Sequence, residues 1–234
     1  MNLTRAVAAA TLFAITLALS GCGGSDSKSA DELSSLSADA LYDKTQDALA
    51  DAPSVTMAGD FSNEDQKVDL DFTYVRSGDA FGTFVIDGLK LEMRSVGEDF
   101  FVKGDSAYWG GMGRQRGFSE DVVAKMQEIV SNKWVRFDSG PIEGLDQFDR
   151  QSMLNLVGAG SDLVLGGRET IDGVECLSLT DSVATLYVDA KSGLPVSLDT
   201  GEGNPITFTY DGGESPGAPA DVFDFESEFG PGAA

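Results

Sequence analysis

Few residues of this chain have the types and spacing that catalysis or metal binding needs. The 234 residues include no histidine and only two cysteines, Cys22 and Cys176. The lack of histidine removes the commonest general base and the commonest zinc ligand. Ser119, followed by Glu120 and Asp121, is typical of a helix N-cap and has no base to activate it. The sequence therefore predicts a protein that is not an enzyme and holds no metal or cofactor.

The carboxylates are the next candidates. Asp69 and Asp71 lie two residues apart, which in a strand places both on one solvated face rather than in a catalytic pair. No Asp-x-Asp-x-Asp-Gly loop of the calcium-binding kind occurs in the sequence. With 39 acidic and 16 basic residues, the chain has a formal net charge of −23. Such a field repels phosphate backbones and anionic headgroups, so we expect no nucleic-acid partner.

A glycine-rich run with two arginines extends from Gly110 to Gly117. Its composition raises the possibility of a phosphate-binding loop. The run lacks the Lys-Ser/Thr ending of a P-loop and the spacing of a dinucleotide-binding loop. We therefore interpret it as a mobile loop.

Cys22 is the residue with the clearest chemical role. A cationic start with Arg5, an apolar run from Ala6 to Leu19 and small residues before Cys22 have the three-part form of an export signal. The apolar run falls short of the roughly 20 residues that span a bilayer. The pattern resembles a bacterial lipoprotein signal, which predicts that residues 1–21 are removed and that the Cys22 thiol carries palmitate-type acyl chains. The alternative is an ordinary secretory signal with a chance cysteine.

The residues after Cys22 predict a flexible tether over 22–36, rich in Ser, Gly and Asp. Two or three acyl chains would hold the protein firmly at the outer face of the cytoplasmic membrane, in the cell envelope. Cys176 then has no intramolecular partner, and its alternating surroundings predict a buried, inert thiol.

The rest of the chain predicts one domain over 37–228 and a loose end over 229–234. Ser37 caps a helix over 38–51, and Pro53 ends it. Period-two alternation of apolar and polar residues then predicts antiparallel strands with one face exposed to solvent. A helix from Ser119 to Val130 is expected to bury Val122, Val123, Met126, Ile129 and Val130. A strand over 133–137, a short helix over 150–157 and a final set of hairpins from 168 to 210 follow, and Val222, Phe223 and Phe225 are expected to dock on the sheet.

These features together resemble the LolA-like lipoprotein carriers, and within them the LprG–LppX type. The resemblance covers most of the mature chain. Besides the segment at Cys22, it depends on Asp99-Phe100-Phe101-Val102-Lys103, Lys133-Trp134-Val135, Asp172-Gly173-Val174, Leu186-Tyr187-Val188-Asp189 and Gly193-Leu194-Pro195-Val196. It implies an α+β fold, in which a strongly curved antiparallel sheet, a half-barrel, is closed by helices on its concave face around an apolar cavity for acyl chains.

The resemblance implies a lipid, a glycolipid or another apolar molecule as ligand, and a carrier or sensor function. Alternation shows which face is apolar but leaves open whether the interior is hollow, so a tethered interaction module with a packed core is the alternative. The identity of the lipid and the presence of a membrane transporter as partner are also left open. The residues expected to line the cavity are Leu70, Phe72, Tyr74, Leu89, Leu91, Met93, Val122, Met126 and Ile129.

Overall fold

The computed structural model describes residues 32–63, 66–137, 162–225 and 227. The predicted signal peptide, Cys22, the tether as far as residue 31, the helix predicted over 150–157 and the end 229–234 lie outside the described residues. Within the described ranges, no helix has the length and hydropathy to cross a membrane.

The described residues include three helices of ten or more residues and twelve strands. The helices are α1 (Ala38–Asp51), α2 (Ser106–Gln115) and α3 (Glu120–Val130). The strands are β1 (Ser54–Asn63), β2 (Gln66–Val75), β3 (Ala80–Ile86), β4 (Leu89–Val96), β5 (Asp99–Gly104), β6 (Trp134–Phe137), β7 (Val164–Ile171), β8 (Val174–Thr180), β9 (Thr185–Asp189), β10 (Pro195–Asp199), β11 (Ile206–Thr209) and β12 (Val222–Asp224).

All twelve strands belong to one open, curled sheet in the order β12-β6-β5-β4-β3-β2-β1-β11-β10-β9-β8-β7. Neighbouring strands are antiparallel except β12, which pairs parallel with β6. The α2–α3 hairpin packs on the concave side of β4 and β5. The predicted fold class, an α+β half-barrel of antiparallel strands with helices on the concave face, is confirmed.

Alternation along the strands separates an apolar concave face from a polar convex face. Across β2 to β5, one concave row of paired residues is Leu70, Phe84, Leu91 and Gly104. The adjacent convex row is Asp71, Thr83, Glu92 and Lys103. The period of two in the sequence therefore indicated both faces correctly, because successive side chains of a strand point to opposite sides.

Glycines occupy concave positions in three alternate strands, at Gly59, Gly82 and Gly104. A β-carbon on Gly82 would lie 2.6 Å from the Cα of Phe72, and one on Gly59 would lie 2.7 Å from a backbone oxygen of Pro205. These close approaches exclude any side chain at the two positions. Glycines placed in this way allow a sheet to bend sharply toward its concave side.

Two of the hairpins predicted from Asp-Gly pairs have the expected turns. Asp87 and Gly88 have φ angles of 51° and 82°, and Asp172 and Gly173 have φ angles of 50° and 85°. Two successive positive φ angles define the type I′ turn, whose twist matches that of the flanking strands. The turn residues thus set the register of β3 with β4 and of β7 with β8.

Helix α1 begins and ends where the sequence predicted. The Ser37 side chain accepts a hydrogen bond from the Ala40 backbone N–H at 3.3 Å. The preceding residues differ from the prediction, because Leu33 and Leu36 pack against the core. The predicted tether over 22–36 therefore does not extend to residue 36. Two leucines among serines carry little periodic signal, which is why the sequence predicts a spacer up to residue 36.

The glycine-rich run was predicted to be a mobile loop, and this prediction is wrong for its first part. Helix α2 includes Gly110, Gly111 and Gly113, and Asp105 caps it by accepting a hydrogen bond from the Tyr108 N–H at 2.8 Å. A β-carbon on Gly113 would lie 2.7 Å from the Met126 side chain of α3. The glycines therefore allow close helix packing, which outweighs their low helix propensity.

A strap formed by residues 210–221 crosses the convex face between β11 and β12. A β-carbon on Gly212 would lie 2.5 Å from the Thr56 hydroxyl, and the Gly217 carbonyl accepts a hydrogen bond from Arg94 at 3.2 Å. Thr56 and Arg94 belong to the same convex row of the sheet. The docking of Val222, Phe223 and Phe225 predicted from the sequence is confirmed, since β12 pairs with β6 and Phe225 is buried.

Candidate functional site

The candidate site is the apolar interior between the concave face of the sheet and the α2–α3 hairpin. Of the residues expected to line it, five are at most 6% exposed: Leu70, Phe72, Leu91, Met93 and Met126. Three more, Tyr74, Leu89 and Ile129, are partly buried. The sheet register and helix packing bring these eight residues to one side of the sheet, as predicted. Contact of any of them with a ligand stays a prediction.

Val122 is the exception, because its side chain is 37% exposed. The expectation that it is buried in the interior is therefore wrong. Helix α3 begins after Ser119, and its buried residues are Val123, Met126 and Val130. Successive helical residues are about 100° apart, so the face that buries Val123 turns Val122 toward solvent.

Helix α2 contributes three buried interior residues that the sequence pattern did not indicate: Tyr108, Trp109 and Met112. The glycine-rich run that follows Trp109 is typical of a loop, so the sequence gives little sign of a helix here. Asp105 was the available signal, since an Asp three residues before an apolar pair is typical of a helix N-cap.

An aromatic chain closes the interior beside β6. The ring centroids of Trp109 and Phe137 are 6.2 Å apart, and those of Phe137 and Phe225 are 4.8 Å apart. The Arg116 guanidinium lies 5.6 Å from the centroid of Phe225. Buried aromatic pairs of this kind add stability beyond the area they bury. They fix α2 to the edge of the sheet formed by β6 and β12.

Polar atoms of the interior include the Trp109 and Tyr108 side chains. The Trp109 indole donates a hydrogen bond to the Gly104 carbonyl at 3.1 Å. The ring of Tyr108 covers Gly104, where a β-carbon would lie 2.3 Å from it. Burial raises the pKa of Tyr108 well above its ordinary value, although the positive charge of Arg116 opposes the shift. The Tyr108 phenol is therefore neutral and able to donate a hydrogen bond at physiological pH.

The convex face holds the charged groups. Two cations lie near the Trp134 ring, with Arg94 at 4.7 Å and Lys103 at 5.8 Å from its centroid. Asp69 and Asp71 are also on this face, as predicted, and Asp69 pairs with Lys67 at 3.7 Å. The parts of the chain that the structure describes contain no cluster of three or more His, Cys, Asp or Glu residues placed to hold a metal ion.

Cys176 lies in β8 and is fully buried, as predicted. Burial raises the pKa of its thiol, and the charges of Asp189 and Glu169 act in the same direction. A thiol in this environment is poorly nucleophilic. Cys176 is therefore a packing residue, and the described structure gives it no chemical role.

The fold and the interior define the class: an α+β half-barrel with an apolar concave face partly covered by helices. No protein-family model matches the sequence, and no curated protein matches it. Among solved structures, the Mycobacterium tuberculosis lipoprotein LppX is similar over 79% of this chain and 98% of its own, with 16% identity and a TM-score of 0.45. LprF from Mycobacterium bovis is similar over 78% and 97% of the two chains, with 16% identity and a TM-score of 0.44.

The MucA/MucB complex of Pseudomonas aeruginosa contains a further similar chain, with 15% identity, a TM-score of 0.33, and coverage of 79% of this chain and 59% of that one. The first two structures bear names of the LprG–LppX type, which the sequence was found to resemble. Likeness at these identities describes the fold, and neither a ligand nor a membrane anchor follows from it.

Proposed function

We propose that this protein binds an acyl-chain lipid or glycolipid between the concave face of its sheet and the α2–α3 hairpin, as a carrier or a sensor. The continuous apolar concave face supports this proposal. Its rows extend through Leu70 and Leu91 on β2 and β4 to Leu186 and Leu198 on β9 and β10. Lipid sites are largely apolar, with a few polar groups that orient the ligand.

Flexible side chains in the interior give further support. Met57, Met93, Met112 and Met126 are all buried in the same core cluster. Methionine has three rotatable bonds and adapts to irregular shapes, which suits a site that accepts chains of varied length.

The alternative function, a tethered non-catalytic module with a packed core, is favoured by a different observation. The Phe72 and Tyr108 rings occupy the space beside Gly82 and Gly104 that side chains at those positions would otherwise fill. Such complementary filling is characteristic of a close-packed core. A measurement of bound ligand is needed to separate the two functions.

The site of action that we propose is the outer face of the cytoplasmic membrane, with the protein attached through acyl chains on Cys22. The formal net charge of −23 supports a lipid anchor, because an acidic surface is repelled by anionic headgroups. A membrane transporter as exchange partner fits a carrier and is not required by a sensor. Catalysis forms no part of the proposal.

Native mass spectrometry of the protein extracted from its own cells tests the proposed function. We expect a population heavier than the acylated polypeptide by the mass of one or more lipids, which dissociates at raised collision energy. A spectrum with the acylated polypeptide alone, repeated after incubation with a lipid extract, would contradict ligand binding and favour the packed module.

A further inference from the structure

The hydroxyl of Tyr108 is buried and has no hydrogen-bond partner among the residues that the structure describes. The whole side chain is 93% buried, since its residue exposure is 7%. Two other polar aromatic side chains of the described fold are paired. The Trp109 indole donates to the Gly104 carbonyl at 3.1 Å, and the Tyr210 hydroxyl donates to the Pro195 carbonyl at 2.7 Å. Tyr108 differs from these two side chains because its buried hydroxyl has no partner among the described residues.

A buried polar group without a partner destabilises a fold, and native proteins rarely keep one without a use. A phenylalanine at position 108 would keep the ring over Gly104 and the edge-on contact with Trp109, whose ring centroid is 5.0 Å away. The hydroxyl therefore adds nothing to the packing of the described residues. It supplies a hydrogen-bond donor without a described partner within the apolar core cluster.

The chemistry of this donor restricts its partner. The phenol is neutral and lies in the apolar core cluster, where the nearby charge that acts on it is the Arg116 cation. A carboxylate or phosphate would lose much hydration on entering such a region, whereas an ester carbonyl is neutral and only accepts. In ester-linked lipids, that carbonyl stands at the end of each acyl chain.

We propose that the Tyr108 hydroxyl donates a hydrogen bond to the ester carbonyl of a bound acyl lipid and so selects ester-linked chains over plain hydrocarbon. This inference depends on the proposed function, because it requires a ligand in the interior. It adds a specificity residue and a ligand class that the apolar face alone does not define.

A competition experiment on the full mature chain, freed of lipid, tests this assignment. The protein is incubated with equal concentrations of methyl hexadecanoate and hexadecane, and native mass spectrometry gives the ratio of the two bound forms. We expect the wild type to favour the ester about tenfold, which is the worth of one good buried hydrogen bond. Tyr108→Phe should lower the ratio of bound ester to bound hydrocarbon about tenfold relative to the wild type.

Tyr210→Phe is the matched control, because it removes a tyrosine hydroxyl that already has an internal partner. It should keep the wild-type ratio even if its melting temperature falls. A wild type that binds both probes without preference would overturn the inference while leaving the proposed function in place. This result comes from the wild type alone, so it is informative even if a variant fails to fold. A wild type that binds neither probe would instead overturn the proposed function.

Discussion

Leu91 and Gly104 are paired across β4 and β5, and the ring of Tyr108 takes the space that a side chain on Gly104 would fill. One residue of the pair is therefore a fully buried leucine, and its neighbour is a glycine covered by a residue of α2. The contact joins the sheet to the helical hairpin at the candidate site. Substitutions on both sides of it report how tightly the interior is packed.

Leu91→Trp distinguishes a site with room for ligand from a packed core. In a close-packed interior the added bulk should destabilise the fold by about 1 to 3 kcal/mol. If the protein binds lipid here, we expect a nearly unchanged melting temperature and less co-purified lipid, because the indole displaces acyl chains. Lys90→Trp on the convex face of the same strand is the control. A clear loss of stability in a parent without ligand would favour the packed module.

Gly104→Ala and Gly111→Ala should change stability in opposite directions. A β-carbon on Gly104 would lie 2.3 Å from the Tyr108 ring, so we expect destabilisation by about 1 to 3 kcal/mol. A β-carbon on Gly111 would lie 3.7 Å from Leu89, an ordinary contact. Removing a glycine from the interior of α2 there should stabilise by up to about 1 kcal/mol. Urea unfolding of both variants measures the difference, and equal effects would contradict the helix packing described above.

Cys22→Ser tests the lipid anchor. Because the thiol is the only acceptor in the signal segment, we expect the variant to remain unprocessed or to leave the membrane. Detergent phase partitioning and the mass of the protein report both results. A processed variant that stays wholly in the detergent phase would show that the protein is held at the membrane by something else.

Cys176 should react slowly with iodoacetamide in the folded protein, because burial shields the thiol and raises its pKa. Labelling of the Cys22→Ser protein at pH 8, followed by mass spectrometry, isolates this thiol. The same protein in urea should be labelled quickly and serves as the control. Fast labelling without urea would point to a role in redox chemistry.

Asp60 should make part of the stability dependent on pH. Its pKa lies below the ordinary value, chiefly because the Asn204 side chain donates a hydrogen bond to the carboxylate. The carboxylate therefore stabilises the fold above about pH 4 and loses this effect as pH falls through its lowered pKa. Thermal unfolding should show Asp60→Asn less stable than the wild type at pH 7, with the difference shrinking toward pH 3.

Much of this fold could be predicted from the sequence because its signals are local. Alternation fixed the two faces of the sheet, Asp87-Gly88 and Asp172-Gly173 fixed two hairpins, and Ser37 fixed the start of α1. These features depend on neighbouring residues and on the geometry of single elements.

The candidate site was only partly predictable, since part of it depends on contacts between distant segments. Helix α2 forms despite its glycines because Gly110 and Gly113 let it approach α3. That contact supplied Tyr108 and Trp109, which sequence reasoning missed. The exposure of Val122 depends on the rotation of α3 about its axis, and five large apolar residues among the eleven of this helix do not define that rotation.

The length of the strap, residues 210–221, limits the distance between β11 and β12. Its twelve residues, 210–221, must reach from β11 to β12, which lies beyond β6 and so seven strand spacings away in the sheet, or about 34 Å. Twelve extended residues reach about 40 Å, which leaves little slack over a convex surface. The length of the strap therefore constrains the curvature of the half-barrel. Removing three of its residues would force the sheet to change curvature or release β12, and homologous chains with longer straps would be free to adopt a wider interior.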